Sequence, residues 1–222
     1  MIALFRIAWV AIRELLYERV FYILLAFVGL SLGLGLLLGQ MTYAEQYKLT
    51  VDFMLAGIEL SMLLFSIFMG TSLFHRELNS GSISMLLSKP ISRATFLLGK
   101  YLGQLFVQFG VIVFMTGITA VTCALYSDHP AYLPIFQCSA LIFLEVGILT
   151  AVTYCFAVNA GAITTCAAAF CFFLVGHLKE PIEKNIGPVA REGWIWQFVN
   201  GLLPDLEIFN TKTLASYGHA LS

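Results

Sequence analysis

Five apolar runs of roughly membrane-spanning length, separated by short polar segments, constrain this chain more than any motif does: about Val20 to Gly39, Phe53 to Leu73, Tyr101 to Tyr126, Ile135 to Val158 and Ala160 to Leu178. A helix needs about 20 apolar residues to cross the hydrocarbon, and lipid supplies no partner for backbone N–H and C=O groups. Spanning elements must therefore be helices or closed barrels, and unbroken runs without strand-like alternation select helices. Composition agrees. The chain is 59% hydrophobic with 11% charged residues and a mean hydropathy of +0.88, against roughly 25% charge in soluble domains. The expected fold is all-α, a polytopic membrane helical bundle forming a single domain over residues 1–222.

Residues 1–19 precede the first span. Ile2, Phe5, Trp9, Ile12, Leu15 and Leu16 recur at three- and four-residue steps, with Arg6, Arg13, Glu14 and Glu18 mostly elsewhere. This pattern reads as an amphipathic interfacial helix rather than a signal peptide, with Trp9 suited to the headgroup zone. Gly29, Gly33 and Gly35 in the first span suggest close approach to another helix. The fourth and fifth spans, parted only by Asn159 and small neighbours, form a tight helical hairpin. Beyond Gly176 the chain turns polar. Its one further apolar stretch, Trp194 to Leu203, is too short to span and reads as a re-entrant or interfacial segment, with Trp194 and Trp196 at the headgroup level and Pro204 ending it.

Lysine and arginine counts orient the bundle. Arg6, Arg13 and Arg19 precede the first span and Arg76, Lys89, Arg93 and Lys100 follow the second, whereas the loops after the first and third spans hold only Lys48. Seven against one places the N-terminus and the segment 74–100 in the cytoplasm. A net charge of −1 without a basic cluster excludes a nucleic-acid footprint. Cys123, Cys138, Cys155, Cys166 and Cys171 show no C-x-x-C pair and read as small hydrophobes. There is no G-x-x-x-x-G-K-[ST], so the chain has no phosphate cradle of its own, and neither H-E-x-x-H nor G-x-S-x-G occurs. No catalytic residue, cofactor site or metal site is expected.

Glu59 and Glu145 lie inside spans, where a charge exposed to lipid costs a few kcal/mol. Each must face protein or water, or be a neutral hydrogen-bonding acid. They either line a translocation path or act as glue, Glu145 with Gln104, Gln108 or Asn159 and Glu59 with serines such as Ser61 or Ser66. Neither has a second acidic residue at ligand spacing. His75, His129, His177 and His219 sit near span ends or in loops and read as interfacial polar residues.

The polar segment between the second and third spans, HRELNSGSISMLLSKPISR, is bracketed by Gly81 and Lys89-Pro90. A left-handed turn at Gly81 and the restriction before Pro90 leave room for one or two helical turns around Ser82 to Ser88. Ile83, Met85, Leu86 and Leu87 are more apolar than a solvated loop needs, which suggests a partner over them. The plainer alternative is a segment that only obeys the positive-inside rule and packs on headgroups.

E-L-N-S-G-S-I-S-M-L-L-S-K-P-I-S-R-x-x-F-L-L-G-K resembles the cytoplasmic loop of type-2 ABC transporter permeases, particularly the branch associated with copper-enzyme maturation and gliding machinery. The resemblance implies coupling roles for Glu77, Gly81, Ser82, Leu86, Leu87, Pro90, Ser92, Arg93, Gly99 and Lys100, with the helix docking on a separate ATPase subunit that holds ATP and Mg. It also implies an elbow helix over 1–19, a second permease copy or a related permease, an external gate at 177–222 that includes Trp194, Trp196 and Pro204, a bacterial inner-membrane location, and a sixth span after LPDLEIFN. The implied function is the membrane subunit of an ATP-driven exporter. A non-transporting anchor or assembly subunit that docks the same cytoplasmic partner is the alternative, distinguished by dry packing where a path would show polar residues around a common axis.

Overall fold

A computed structural model describes residues 2–41, 46–79, 93–126 and 132–185. Six helices account for nearly all of them: α1 Ile2–Tyr17, α2 Arg19–Met41, α3 Gln46–Asn79, α4 Arg93–Tyr126, α5 Tyr132–Asn159 and α6 Ala162–Asn185. Among the described residues there is no strand.

Among the described residues, four helices are long and apolar enough to cross a membrane, over Arg19–Leu37, Leu49–Arg76, Ala94–Leu125 and Tyr132–Asn159. The expected fifth span is shorter, an apolar stretch Ala162–Leu178 that α6 extends to Asn185. α3 and α4 have 34 residues each, about 51 Å at ~1.5 Å per residue, and overrun the ~30 Å hydrocarbon core. The polar flanks expected as loop, Gln46 to Asp52 and His75 to Asn79, continue α3 because none of them is Gly or Pro.

α3 is the central element. It packs against every other helix, and 67% of its span is buried, against 33–50% for the other three. The outer surface is lipid-like, with Leu30, Phe106, Phe114, Val121 and Leu144 among its exposed side chains.

The start of the chain is helical, as expected, over Ile2–Tyr17, and the break of α1 from α2 is a single residue, Glu18, where the Glu18 amide donates to the Leu15 carbonyl and the Phe21 amide to the Glu18 carbonyl. α1 lies mainly on α4 while α2 lies on α3, so the chain changes direction there. The apolar positions of α1 divide between two surroundings: Ala11 and Leu15 are fully buried against the bundle, whereas Phe5, Trp9 and Leu16 point away from it. Ala11 and Leu15 therefore make its protein contact. Gly103 of α4 meets that face so closely that a Cβ on it would lie 2.7 Å from the Ala8 carbonyl oxygen and 2.8 Å from the Ala11 Cβ.

The glycines of α2 behave differently from expectation. Gly35 touches Met54 of α3, but Gly29 and Gly33 have nothing within 4 Å. Two of the cysteines, Cys123 and Cys138, are buried hydrophobes as expected, while Cys155 and Cys171 are on the exposed surface. The α5–α6 hairpin is as tight as the sequence suggests: the Ala160 amide still bonds the Phe156 carbonyl, and α6 restarts with Thr165 bonding Gly161.

Three apolar clusters occupy the described bundle. One gathers Val51 to Met62 of α3, Ile112 to Cys123 of α4 and Ile135 to Val146 of α5. A second gathers Ala11 and Leu15 of α1, Phe65 to Phe74 of α3, Val107 of α4 and Tyr154 and Ala157 of α5, and a third joins Leu63 and Ile67 of α3 to Leu149 of α5 and Ala169 of α6. Among them lies a polar layer that includes the buried Ser66, Gln104, Gln108 and Thr150.

Candidate functional site

The polar layer forms where α3, α4 and α5 meet. Gln104 is fully buried and donates to the Ser66 carbonyl at 3.2 Å while accepting from the Tyr154 hydroxyl at 3.0 Å. Gln108 donates to the Thr150 hydroxyl at 3.1 Å, and Thr150 lies 2.8 Å from the Ser66 hydroxyl. Tyr101 reaches the Gly147 carbonyl at 3.1 Å. Thr150 and Thr153 also bond carbonyls of their own helix. Such bonds replace water that the bilayer cannot supply, and small and amide side chains let the three helices approach. Asn159, expected as a partner for Glu145, instead bonds the Cys155 carbonyl.

Glu59 and Glu145 are also buried, and their common neighbour is His177 of α6. The His177 Nε2 lies 3.3 Å from Glu59 Oε1 and its Nδ1 lies 3.6 Å from Glu145 Oε1. One ligand-capable atom from each of the three residues falls within 4.8 Å of the others. The reading of His177 as an interfacial residue is thus corrected: its ring nitrogens are buried, and Phe173 stacks on the ring with centroids 4.7 Å apart. The expectation that no acidic partner sits at ligand spacing held only along each span, because the partners come from separate helices. His75 does behave as an interfacial residue, with its nitrogens 3.1 Å from the Thr71 carbonyl and 2.9 Å from the Ala160 carbonyl.

At the expected cytoplasmic end, Glu77 lies in the last turn of α3 and Arg93 begins α4. Lys100 is 2% exposed and pairs with Glu14 of α1 at 3.0 Å, its ammonium also 5.5 Å from the Phe96 ring centroid. Glu18 bonds Arg76 and accepts from the Ser72 hydroxyl at 3.1 Å. The flanks of segment 80–92 are thereby each tied to the start of the chain, Lys100 to Glu14 of α1 and Arg76 to Glu18 at the break between α1 and α2. Sequence reasoning placed Lys100 in the loop and gave no partner to Glu14 or Glu18; the signal available was two acidic residues on an otherwise apolar helix. Gly81, Ser82, Leu86, Leu87, Pro90 and Ser92 lie outside the described residues, as do Trp194, Trp196 and Pro204.

An apolar recess between α4 and α5, about 360 Å³, is lined by Phe109, Ile112, Val113, Phe136, Phe143 and Leu144 among others. It opens toward the lipid-like surface.

Residues 5–176 match a family model described as ABC-2 family transporter protein. Among curated proteins none matches the sequence.

Proposed function

The chain belongs to the ABC-2 transporter family, and from that premise we propose that it works as the permease subunit of an ATP-driven exporter, coupled to a separate ATPase through the segment 80–92. As a member of that family it is a multi-pass membrane component of an ABC transporter. ATP and Mg belong to the partner subunit, and a second permease copy or a related permease completes the path. The bilayer is the bacterial inner membrane, with the N-terminus and segment 80–92 on the cytoplasmic side. Trp194, Trp196 and Pro204 serve as part of an external gate.

The observation that carries this reading is the pair of ties from α1 and the break residue Glu18 to both flanks of segment 80–92. The Glu18–Arg76 pair holds the end of α3, and the Glu14–Lys100 pair with the Gly103 contact holds the start of α4. A push on the segment therefore reaches α3 and α4 together through a helix lying across them, and cannot be absorbed by one helix alone. α3 then transmits the displacement to every other element. Closure of the ATPase dimer supplies the push, Glu77 and Arg93 receive it beside the docking helix around Ser82 to Ser88, and the bundle reorients between inward and outward access.

The test uses the complex purified from native membranes and reconstituted in liposomes. Charge reversal at both Glu77 and Arg93 should leave the chain inserted and associated while ATP hydrolysis no longer responds to the permease. Unchanged coupling would remove the docking role from this segment. ATPase stimulation without movement of any candidate cargo would favour the anchoring alternative.

A further inference from the structure

We propose that Glu59, Glu145 and His177 form a binding site for one divalent transition-metal ion, with Glu59 Oε1 and His177 Nε2 as ligands and Glu145 holding the Nδ1 proton. The site lies among α3, α5 and α6 and does not depend on the coupling mechanism above.

The two ring nitrogens face different carboxylates, Nε2 toward Glu59 at 3.3 Å and Nδ1 toward Glu145 at 3.6 Å. An ion can bind only one nitrogen of a ring. Metal-bound histidines usually donate their other N–H to a carboxylate, which fixes the tautomer and turns the remaining lone pair toward the metal. Glu145 faces Nδ1 for that role, which is complete once their 3.6 Å separation closes to hydrogen-bond distance. Bonds of about 2.0–2.1 Å in a tetrahedral shell set neighbouring ligand atoms roughly 3.3 Å apart, which is the Glu59–His177 separation.

A second observation points the same way. Both His177 nitrogens are buried, and neither makes a hydrogen bond of acceptable geometry to the carboxylate it faces. Ring nitrogens buried in that state need an explanation, since such atoms are otherwise satisfied. Carboxylates brought together from two helices inside a span repel when ionised and are costly to hold in hydrocarbon. A dication between Glu59 and His177 offsets both costs and gives Nε2 a partner.

Ligand chemistry narrows the ion. One imidazole nitrogen with carboxylate oxygen suits zinc or manganese better than the all-oxygen preference of calcium and magnesium, and the set lacks the thiolates and thioethers that select Cu(I). Two protein ligands leave coordination positions for water, so the bound ion exchanges. Because its ligands sit on α3 and α6, occupancy also ties the shorter helix to the central one.

The experiment uses tag-free full-length protein in lipid nanodiscs, stripped with a chelator, then titrated with Zn²⁺ and separately with Co²⁺. One Zn²⁺ per chain after buffer exchange is expected, and Co²⁺ should give the visible absorption of a mixed nitrogen–oxygen shell. Glu59→Gln and His177→Asn should abolish both. Glu145→Gln should weaken Zn²⁺ binding about 10- to 100-fold while keeping the Co²⁺ spectrum, the usual effect of losing a carboxylate behind a metal-bound histidine. Should Glu59→Gln fail to fold, the wild-type stoichiometry and the His177→Asn spectrum still decide. Sub-stoichiometric zinc in the wild type, or a Co²⁺ spectrum unchanged by His177→Asn, would overturn the proposal. So would a His177 resonance that titrates with pH in the absence of any metal uptake, since the site would then bind only protons.

Discussion

Replacing Gly103 with alanine adds one methyl group where α1 and α4 touch. The new Cβ would lie 2.7 Å from the Ala8 carbonyl oxygen and 2.8 Å from the Ala11 Cβ, where ordinary contact begins at 3.4 Å. The helices must separate by about 0.7 Å, the difference between 3.4 and 2.7 Å, and neither obstacle is the end of a flexible side chain. Overpacking of this kind costs about 1–3 kcal/mol, larger than the ~0.5–1 kcal/mol that alanine gains over glycine in a helix. At ~2–4 °C per kcal/mol for a chain of this size, the melting transition should fall by several degrees. Buried Cys123 and Cys138 supply the assay, through the rise in thiol reactivity as detergent-purified protein is heated, with Cys155, Cys166 and Cys171 replaced by serine. Gly110 and Gly117 on the same helix have open space around them, so the same substitution there should leave the transition unchanged or raise it. Adding Ala11→Gly to Gly103→Ala should restore part of the loss and not all, because the Ala8 carbonyl remains. If Gly103→Ala melts like Gly110→Ala, the close approach of α1 to α4 is refuted.

Three further outcomes test the description. Arg76 is 70% exposed, so Arg76→Ala should cost under about 1 kcal/mol in stability while altering ATPase coupling in the reconstituted complex; a stability loss as large as that of Gly103→Ala would contradict a solvent-screened tie. A double-mutant cycle of Gln104→Leu with Tyr154→Phe, read by thermal unfolding, should give a coupling of about 0.6–1.7 kcal/mol, the range for hydrogen bonds between membrane helices, and strict additivity would deny the bond between them. A cysteine in place of Ser84, in a background without other thiols, should label with an impermeant reagent only from the cytoplasmic side, and labelling from outside would reverse the orientation.

The spans and the α5–α6 hairpin were legible because the bilayer imposes its thickness on the sequence, and so was the existence of the elbow helix, whose charges could not enter hydrocarbon. Which face of the elbow meets protein was not legible. Phe5, Trp9 and Leu16 suit lipid as well as they suit a protein core, so apolarity alone could not separate them from Ala11 and Leu15. Gly29 and Gly33 looked like a packing surface yet stand clear of the other helices, while Gly103, unremarkable in sequence, makes the closest approach of the described glycines. The meeting of Glu59, Glu145 and His177 was hidden for a similar reason. Their sequence separations fit no ligand spacing, and their proximity follows only from the positions of α5 and α6 around α3. The ends of α3 were misjudged because polar residues outside the membrane do not stop a helix.

The contact between α1 and α4 also sets an order of events during synthesis. Gly103 follows Ala11 by 92 positions, which at ~5–20 residues per second means a delay of roughly 5–20 s on the ribosome. Through that interval the elbow has its apolar residues but not the surface that receives them, and lipid headgroups are its natural resting place. A nascent chain halted before Gly103 would leave the elbow on the membrane surface, accessible to protease, and one extended past the end of α4 would protect it.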